Sequence, residues 1–82
     1  MSGKDTVYLT DLVYSGMNSP ESEMVVELDV KLRYTAPLVK ATAYLYTDGT
    51  ARLQLHEPQK FAPGQSAVLY RDGVVMLGGF IK

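Results

Sequence analysis

Residues 24–34 alternate without interruption, with Met24, Val26, Leu28, Val30, Leu32 and Tyr34 on one side and Val25, Glu27, Asp29, Lys31 and Arg33 on the other. A period of two matches an extended chain whose side chains point to opposite faces in turn, so this segment predicts a half-buried β-strand. Such a strand cannot stand alone, because its backbone groups need partners and its apolar side needs cover. The outward side sets two acids before two bases, which suits cross-strand pairing on a solvated sheet face.

The rest of the chain supplies the partners. Residues 39–46 are rich in β-branched and aromatic types, and Asp48-Gly49 separates them from Ala51, Leu53 and Leu55 alternating with Arg52, Gln54 and His56. Asp-Gly tolerates the positive φ of a tight turn, so this is a hairpin signal. Residues 66–70, Asp72-Gly73 and residues 74–77 repeat it. Between the hairpins, Glu57-Pro58-Gln59 and Phe61-Ala62-Pro63-Gly64 predict a crossing loop, since proline removes a ladder donor and Pro-Gly favours a turn. Residues 7–13 read as a first strand and residues 15–22 as a mobile connection, while Gly78-Gly79 suggests a bulge, a bend or a close backbone approach. About six short strands and no helical stripe give an all-β fold. A closed or nearly closed antiparallel β-barrel is expected, because an open sheet of this size leaves both edges exposed.

The 82 residues make one domain, 1–82, with residues 1–6 expected to fray. With 46% hydrophobic and 21% charged residues the composition is globular, and a net charge of -1 argues against a wholesale electrostatic grip on nucleic acid. A local basic stripe stays open, drawn from Lys31, Arg33, Lys40, Arg52, Lys60 and Arg71. The absence of cysteine excludes thiol catalysis, thiolate metal sites and disulfides, and a single histidine cannot build a metal site by itself. His56 reads as an exposed strand-end residue, and Glu27 with Asp29 as ordinary solvated acids. The glycines form neither a dinucleotide-binding nor a P-loop pattern, so no cofactor cradle and no catalytic residue are expected. The start shows no secretory leader and no apolar run is long enough to cross a bilayer, so a cytoplasmic location without membrane partners is expected. Most of the six tyrosines are expected to fill the core or barrel rim; a stacking platform for single strands is the alternative.

Taken in order, Val30-Lys31-Leu32-Arg33-Tyr34, Asp48-Gly49, Glu57-Pro58-Gln59, the stretch from Ala62-Pro63-Gly64-Gln65 to Tyr70, and Val75-Met76-Leu77-Gly78-Gly79 resemble the C-terminal barrel of the tRNA-specific 2-thiouridylases. The resemblance spans nearly the whole chain, and the ordered set carries it, since Pro-Gly-Gln and Asp-Gly are each common turns. It implies a barrel similar to the second domain of translation elongation factors. Three positions depart from the family pattern: Tyr14 stands where tryptophan is common, Thr35 where a basic residue is, and Phe80 where a third glycine is.

Full-length members of that family activate the wobble uridine of tRNA with ATP and magnesium and replace an oxygen by sulfur carried as a cysteine persulfide. Their adenylating loop and catalytic cysteines lie upstream, so the resemblance implies a noncatalytic domain that needs no cofactor of its own. Its implied partners are tRNA, held weakly by the phosphate backbone, and the upstream catalytic domain; the parent would also meet a sulfur-relay donor. Lys31, Arg33, Lys40, Lys60 and Arg71 are the candidate tRNA contacts. Asp48, Gly49, Pro63, Gly64, Gln65, Asp72, Gly73, Gly78 and Gly79 are expected to shape turns. The alternative is a structural or protein-interaction barrel that packs on a partner domain without touching RNA; dispersal of the bases, or their pairing with Glu27, Asp29 and Asp72, would favour it.

Overall fold

The Asp72-Gly73 turn sets the pattern for the chain. Both residues have positive φ, 51° and 79°, the conformation that lets a two-residue connection follow the natural twist of the strands it joins. It links β5 (Ser66–Arg71) to β6 (Val74–Ile81), with Arg71 facing Val74. The earlier hairpin joins β3 (Val39–Leu45) to β4 (Ala51–Gln59) by a longer loop, closed where the Tyr46 N–H donates to the Thr50 carbonyl at 3.0 Å. The computed structural model describes residues 3–82 and adds β1 (Lys4–Tyr14) and β2 (Met24–Lys31).

All neighbouring pairs are antiparallel, and the order β1-β4-β3-β2-β5-β6 returns from β6 to β1, a closed barrel. Closure gives every strand two neighbours and removes the exposed edges an open sheet would have had. Inside lie Val7, Leu9, Val30, Leu45, Leu53, Leu69 and Leu77, all essentially without solvent contact. Ala41, Ala43, Ala51 and Ala67 alternate with these larger side chains, which fits a narrow barrel that must be filled without voids. Among the described residues no polar or charged residue is buried as a whole.

Four expectations need correction. The frayed end predicted for residues 1–6 is in the sheet from Lys4, which pairs with Gln59; Met1 and Ser2 lie outside the described residues. Glu57-Pro58-Gln59 belongs to β4 instead of a loop. It can, because β4 pairs with β3 only as far as Leu55, so Pro58 faces no β3 acceptor that would miss its N–H. The strand predicted to run to Tyr34 ends at Lys31, and a turn closed by the Ala36 N–H on the Arg33 carbonyl at 3.1 Å leaves Tyr34 93% exposed. Of the six tyrosines only Tyr14 packs against the core, while Tyr8 and Tyr34 are exposed; alanine and leucine occupy the inward positions of β3, so Tyr44 points out between Ala43 and Leu45. The connection after β1 is anchored at its start, where the Ser15 and Gly16 N–H groups both donate to the Met76 carbonyl at 2.9 and 3.0 Å.

Pro63-Gly64 forms a turn of the type that needs positive φ at its second central residue, and Gly64 has φ 88°. Gln65 locks it twice, its N–H reaching the Ala62 carbonyl at 3.3 Å and its Oε1 accepting from the Ala62 N–H at 2.9 Å. The turn is then stitched to the end of β6 by Gly64 N–H to the Ile81 carbonyl at 2.7 Å and Ile81 N–H to the Gln65 carbonyl at 2.8 Å. Pro63, Gly64 and Gln65 thus fix the position of Ala62 and the end of β6 relative to the barrel.

Candidate functional site

The five candidate contacts do not share one face. Arg33, in the turn after β2, and Lys60, just past β4, come together at one end of the barrel, where they line a groove of about 450 Å³ with Thr35, Pro37, Pro58 and Gln59. A second hollow of about 330 Å³ shares Gly3, Gln59 and Lys60 with it and is walled by Lys4, Phe61, Ala62 and Pro63. None of the described residues lining either half is acidic. Arg33, Lys60 and Lys4 form no ion pair with any described residue. Their charge is therefore available to a ligand.

Lys40 and Arg71 lie elsewhere, around a cleft of about 230 Å³ whose wall also holds Glu27, Asp29 and Asp72. Lys40 approaches Asp29 at 3.7 Å across β2 and β3. This exposed pair is a loose contact of little energetic weight, but the three acids cancel the local positive field. Lys31 faces outward at the β2–β5 seam opposite Val68 and does not reach the groove. Of the five candidate contacts, Arg33 and Lys60 are brought together, Lys40 pairs with Asp29, Arg71 shares its cleft with three acids without an ion pair to them, and Lys31 stands apart.

Sequence reading missed Lys4, because residues at a frayed end were not expected to line anything. Its signal was the Lys4–Gln59 pairing, which rests on β4 running through Pro58. It also missed how the outward tyrosines are organised. Val25, Tyr44, Arg52 and Tyr8 form one cross-strand row over β2, β3, β4 and β1. The Arg52 guanidinium lies 4.1 Å from the centre of the Tyr44 ring, a cation–π contact. The Arg52 pKa is held above the usual arginine value, chiefly by Tyr46, although any guanidinium keeps its charge at ordinary pH. Tyr8 and Val25, at the ends of this row, are 55% and 62% exposed.

On the same outer surface Glu27 accepts from Thr42 and approaches His56 at 3.0 Å. These side chains are exposed, and the described residues contain no group of three potential ligands placed to hold a metal ion. His56 is exposed as its alternation implied, but it stands within β4 and not at a strand end, because β4 runs on to Gln59. No helix of the described residues is long and apolar enough to cross a membrane.

Comparison with known proteins gives one family and a consistent set of relatives. The model of the aminomethyltransferase β-barrel domain matches residues 4–81. The tRNA-specific 2-thiouridylase MnmA 2 of Phocaeicola vulgatus is 46% identical over 56 residues, 67% of this chain and 16% of its own. The tRNA-specific 2-thiouridylase MnmA of Caldicellulosiruptor saccharolyticus is 34% identical over 79 residues, 95% of this chain and 21% of its own. That of Clostridium botulinum is 29% identical over 86 aligned residues, covering all of this chain and 24% of its own. The chain thus spans between a sixth and a quarter of the length of these relatives, and it corresponds to their C-terminal portion.

Proposed function

This chain belongs to the aminomethyltransferase β-barrel domain family, and from that membership we propose that it is a noncatalytic tRNA-positioning domain of a tRNA-specific 2-thiouridylase. The observation that carries the reading is the acid-free groove at the barrel end, where Arg33 and Lys60 stand unpaired on a chain of net charge -1. Two or three cations of this kind suit phosphate contact without base reading, which positions a nucleic acid and adds affinity mainly when a tethered neighbour also binds. The remaining part of the parent protein would thiolate the wobble uridine, using ATP with magnesium, a cysteine persulfide and a sulfur-relay donor. With no cysteine and no phosphate-binding loop, this chain leaves those tasks to that part. A cytoplasmic location belongs to the same proposal.

The test is titration of unmodified tRNA into isotopically labelled protein at low and then high salt. Amide shifts gathered at Arg33, Lys60 and Lys4 that fade with salt are expected, since each phosphate contact releases counterions. Absence of shifts at low salt would overturn independent tRNA binding. A second reading, a barrel that packs on the rest of its parent and never meets RNA, draws on the exposed Val25–Tyr44–Arg52–Tyr8 row. It predicts that Tyr8→Ala impairs association with the catalytic domain while Arg33→Gln leaves tRNA handling intact.

A further inference from the structure

We propose that the barrel end holds an unstacked nucleotide, its phosphate between Arg33 and Lys60 and its base in the hollow walled by Phe61, Ala62 and Pro63. This rests on the tRNA-positioning reading and deepens it, because it distinguishes a single-stranded segment from a duplex. The two hollows adjoin at Gln59 and Lys60, and their chemistry differs in the way a nucleotide's does. One half offers unpaired cations; the other offers an aromatic ring, an alanine and a proline. A volume of about 330 Å³ lies within the range of small-molecule sites, and aromatic side chains take bases of any identity by stacking.

The slot is also set before any ligand arrives. Phe61 packs partly against the core, and Ala62 is held by the Gln65 side chain at 2.9 Å within a turn fastened to β6. Pre-organised walls lower the ordering cost of binding. Lys4, on the rim of the apolar half, stands where a second phosphate along the strand would pass. A duplex can bring phosphates to Arg33 and Lys60, but its stacked bases cannot enter the hollow. Charge complementarity therefore selects a polyanion, and the apolar half selects one with free bases.

The experiment compares a short single-stranded oligouridylate, a blunt RNA duplex, polyglutamate and whole tRNA, each added to labelled protein at one low salt concentration. Expected are amide shifts at Arg33 and Lys60 with upfield ring-current shifts of the Phe61 protons for the single strand, and no Phe61 ring shift for the duplex. Phe61→Leu, which keeps an apolar side chain against the core, should weaken single-strand binding about fivefold or more. Native amide dispersion in that variant checks its fold, and the wild-type ring shift is a readout that does not depend on it. Equal responses to single strand and duplex with Phe61 unmoved would overturn the base slot while leaving tRNA positioning in place. So would tRNA shifts at Arg33 and Lys60 without any response to oligouridylate. Polyglutamate acting as well as RNA would replace the nucleotide by an acidic peptide, and no response even to tRNA would overturn both readings.

Discussion

The Leu12 side chain fills the space a β-carbon on Gly79 would need: its Cδ2 atom lies 2.7 Å from that position, with the Thr10 carbonyl oxygen 2.9 Å away. The cause is a bulge in β1. The register moves from Thr10 opposite Phe80 to Val13 opposite Gly78, and Asp11 takes a φ of 54° to absorb the extra residue. The Leu12 N–H then turns to the Gly49 carbonyl at 3.1 Å, tying β1 to the β3–β4 loop. Gly79→Ala should therefore force β1 and β6 apart, at a cost of about 1–3 kcal/mol. Gly78→Ala makes the control, since the nearest atom to its β-carbon is the Ala67 carbonyl oxygen at 3.4 Å. Thermal unfolding should show a melting temperature lower by about 4–8 °C for each kcal/mol lost in the first variant and little change in the second. Equal effects would contradict the bulge.

Much of this architecture was legible because local chemistry and the closed sheet agree. Asp72-Gly73 and Pro63-Gly64-Gln65 are turns in the structure for the backbone reasons the sequence suggests, and the close approach at Gly79 is one of the roles Gly78-Gly79 implied. The alternation of residues 24–34 identified β2 and its buried Leu28 and Val30, and the ordered motifs identified the family. What escaped was set by pairing between distant segments. Whether Pro58 ends a strand depends on where β3 begins, and whether Tyr34 faces inward depends on the turn at Arg33–Ala36. The site was half legible for the same reason. Residue type nominated Arg33 and Lys60, but only barrel closure shows that Lys40 and Arg71 face Glu27, Asp29 and Asp72.

Tyr14 carries a buried hydroxyl with no hydrogen-bond partner, and burial raises its pKa above the usual tyrosine value. Removing an unsatisfied buried group relieves its desolvation, so Tyr14→Phe should stabilise the protein by about 1 kcal/mol in denaturant titration. The raised pKa has a sign: the stability tied to the neutral phenol is complete below about pH 10, the unfolded value, and is lost as pH rises through the folded one. Alkaline unfolding should therefore shift upward in Tyr14→Phe. A loss of stability in this variant would mean that the hydroxyl has a partner.

Asp48 accepts from the Thr50 hydroxyl at 2.6 Å and the Thr50 N–H at 3.1 Å, and these bonds lower its pKa below the ordinary carboxylate value. The contribution of the ionised form is present above the unfolded value near about pH 3.9 and is lost as pH falls through the lower folded value. A carboxyl carbon titration by NMR should place Asp48 below the ordinary aspartate value. Thr50→Val removes the hydroxyl and keeps the backbone N–H, so it should return Asp48 part of the way toward the ordinary value, and an unchanged titration would show that the hydroxyl does not hold it down.

The division of the cations between an acid-free groove and an acid-lined cleft gives the sharpest functional contrast. Arg33→Gln and Lys60→Gln remove charge from a groove without acids, so each should weaken tRNA binding and flatten its dependence on log salt by about 0.7–0.9 of a unit for each phosphate no longer neutralised. Lys40→Gln and Arg71→Gln alter a cleft already balanced by Glu27, Asp29 and Asp72, and should change binding far less. Thr35 lines the same groove as Arg33 and Lys60, so Thr35→Arg should act in the opposite direction, strengthening binding and steepening the salt dependence. Fluorescence anisotropy with labelled tRNA at several salt concentrations measures all five variants. If the Lys40 and Arg71 variants weaken binding as much as those at Arg33 and Lys60, the interface lies across the β2–β5 face instead of the barrel end. A Thr35→Arg variant that binds no better would show that phosphate does not enter the groove, whatever the other cations do.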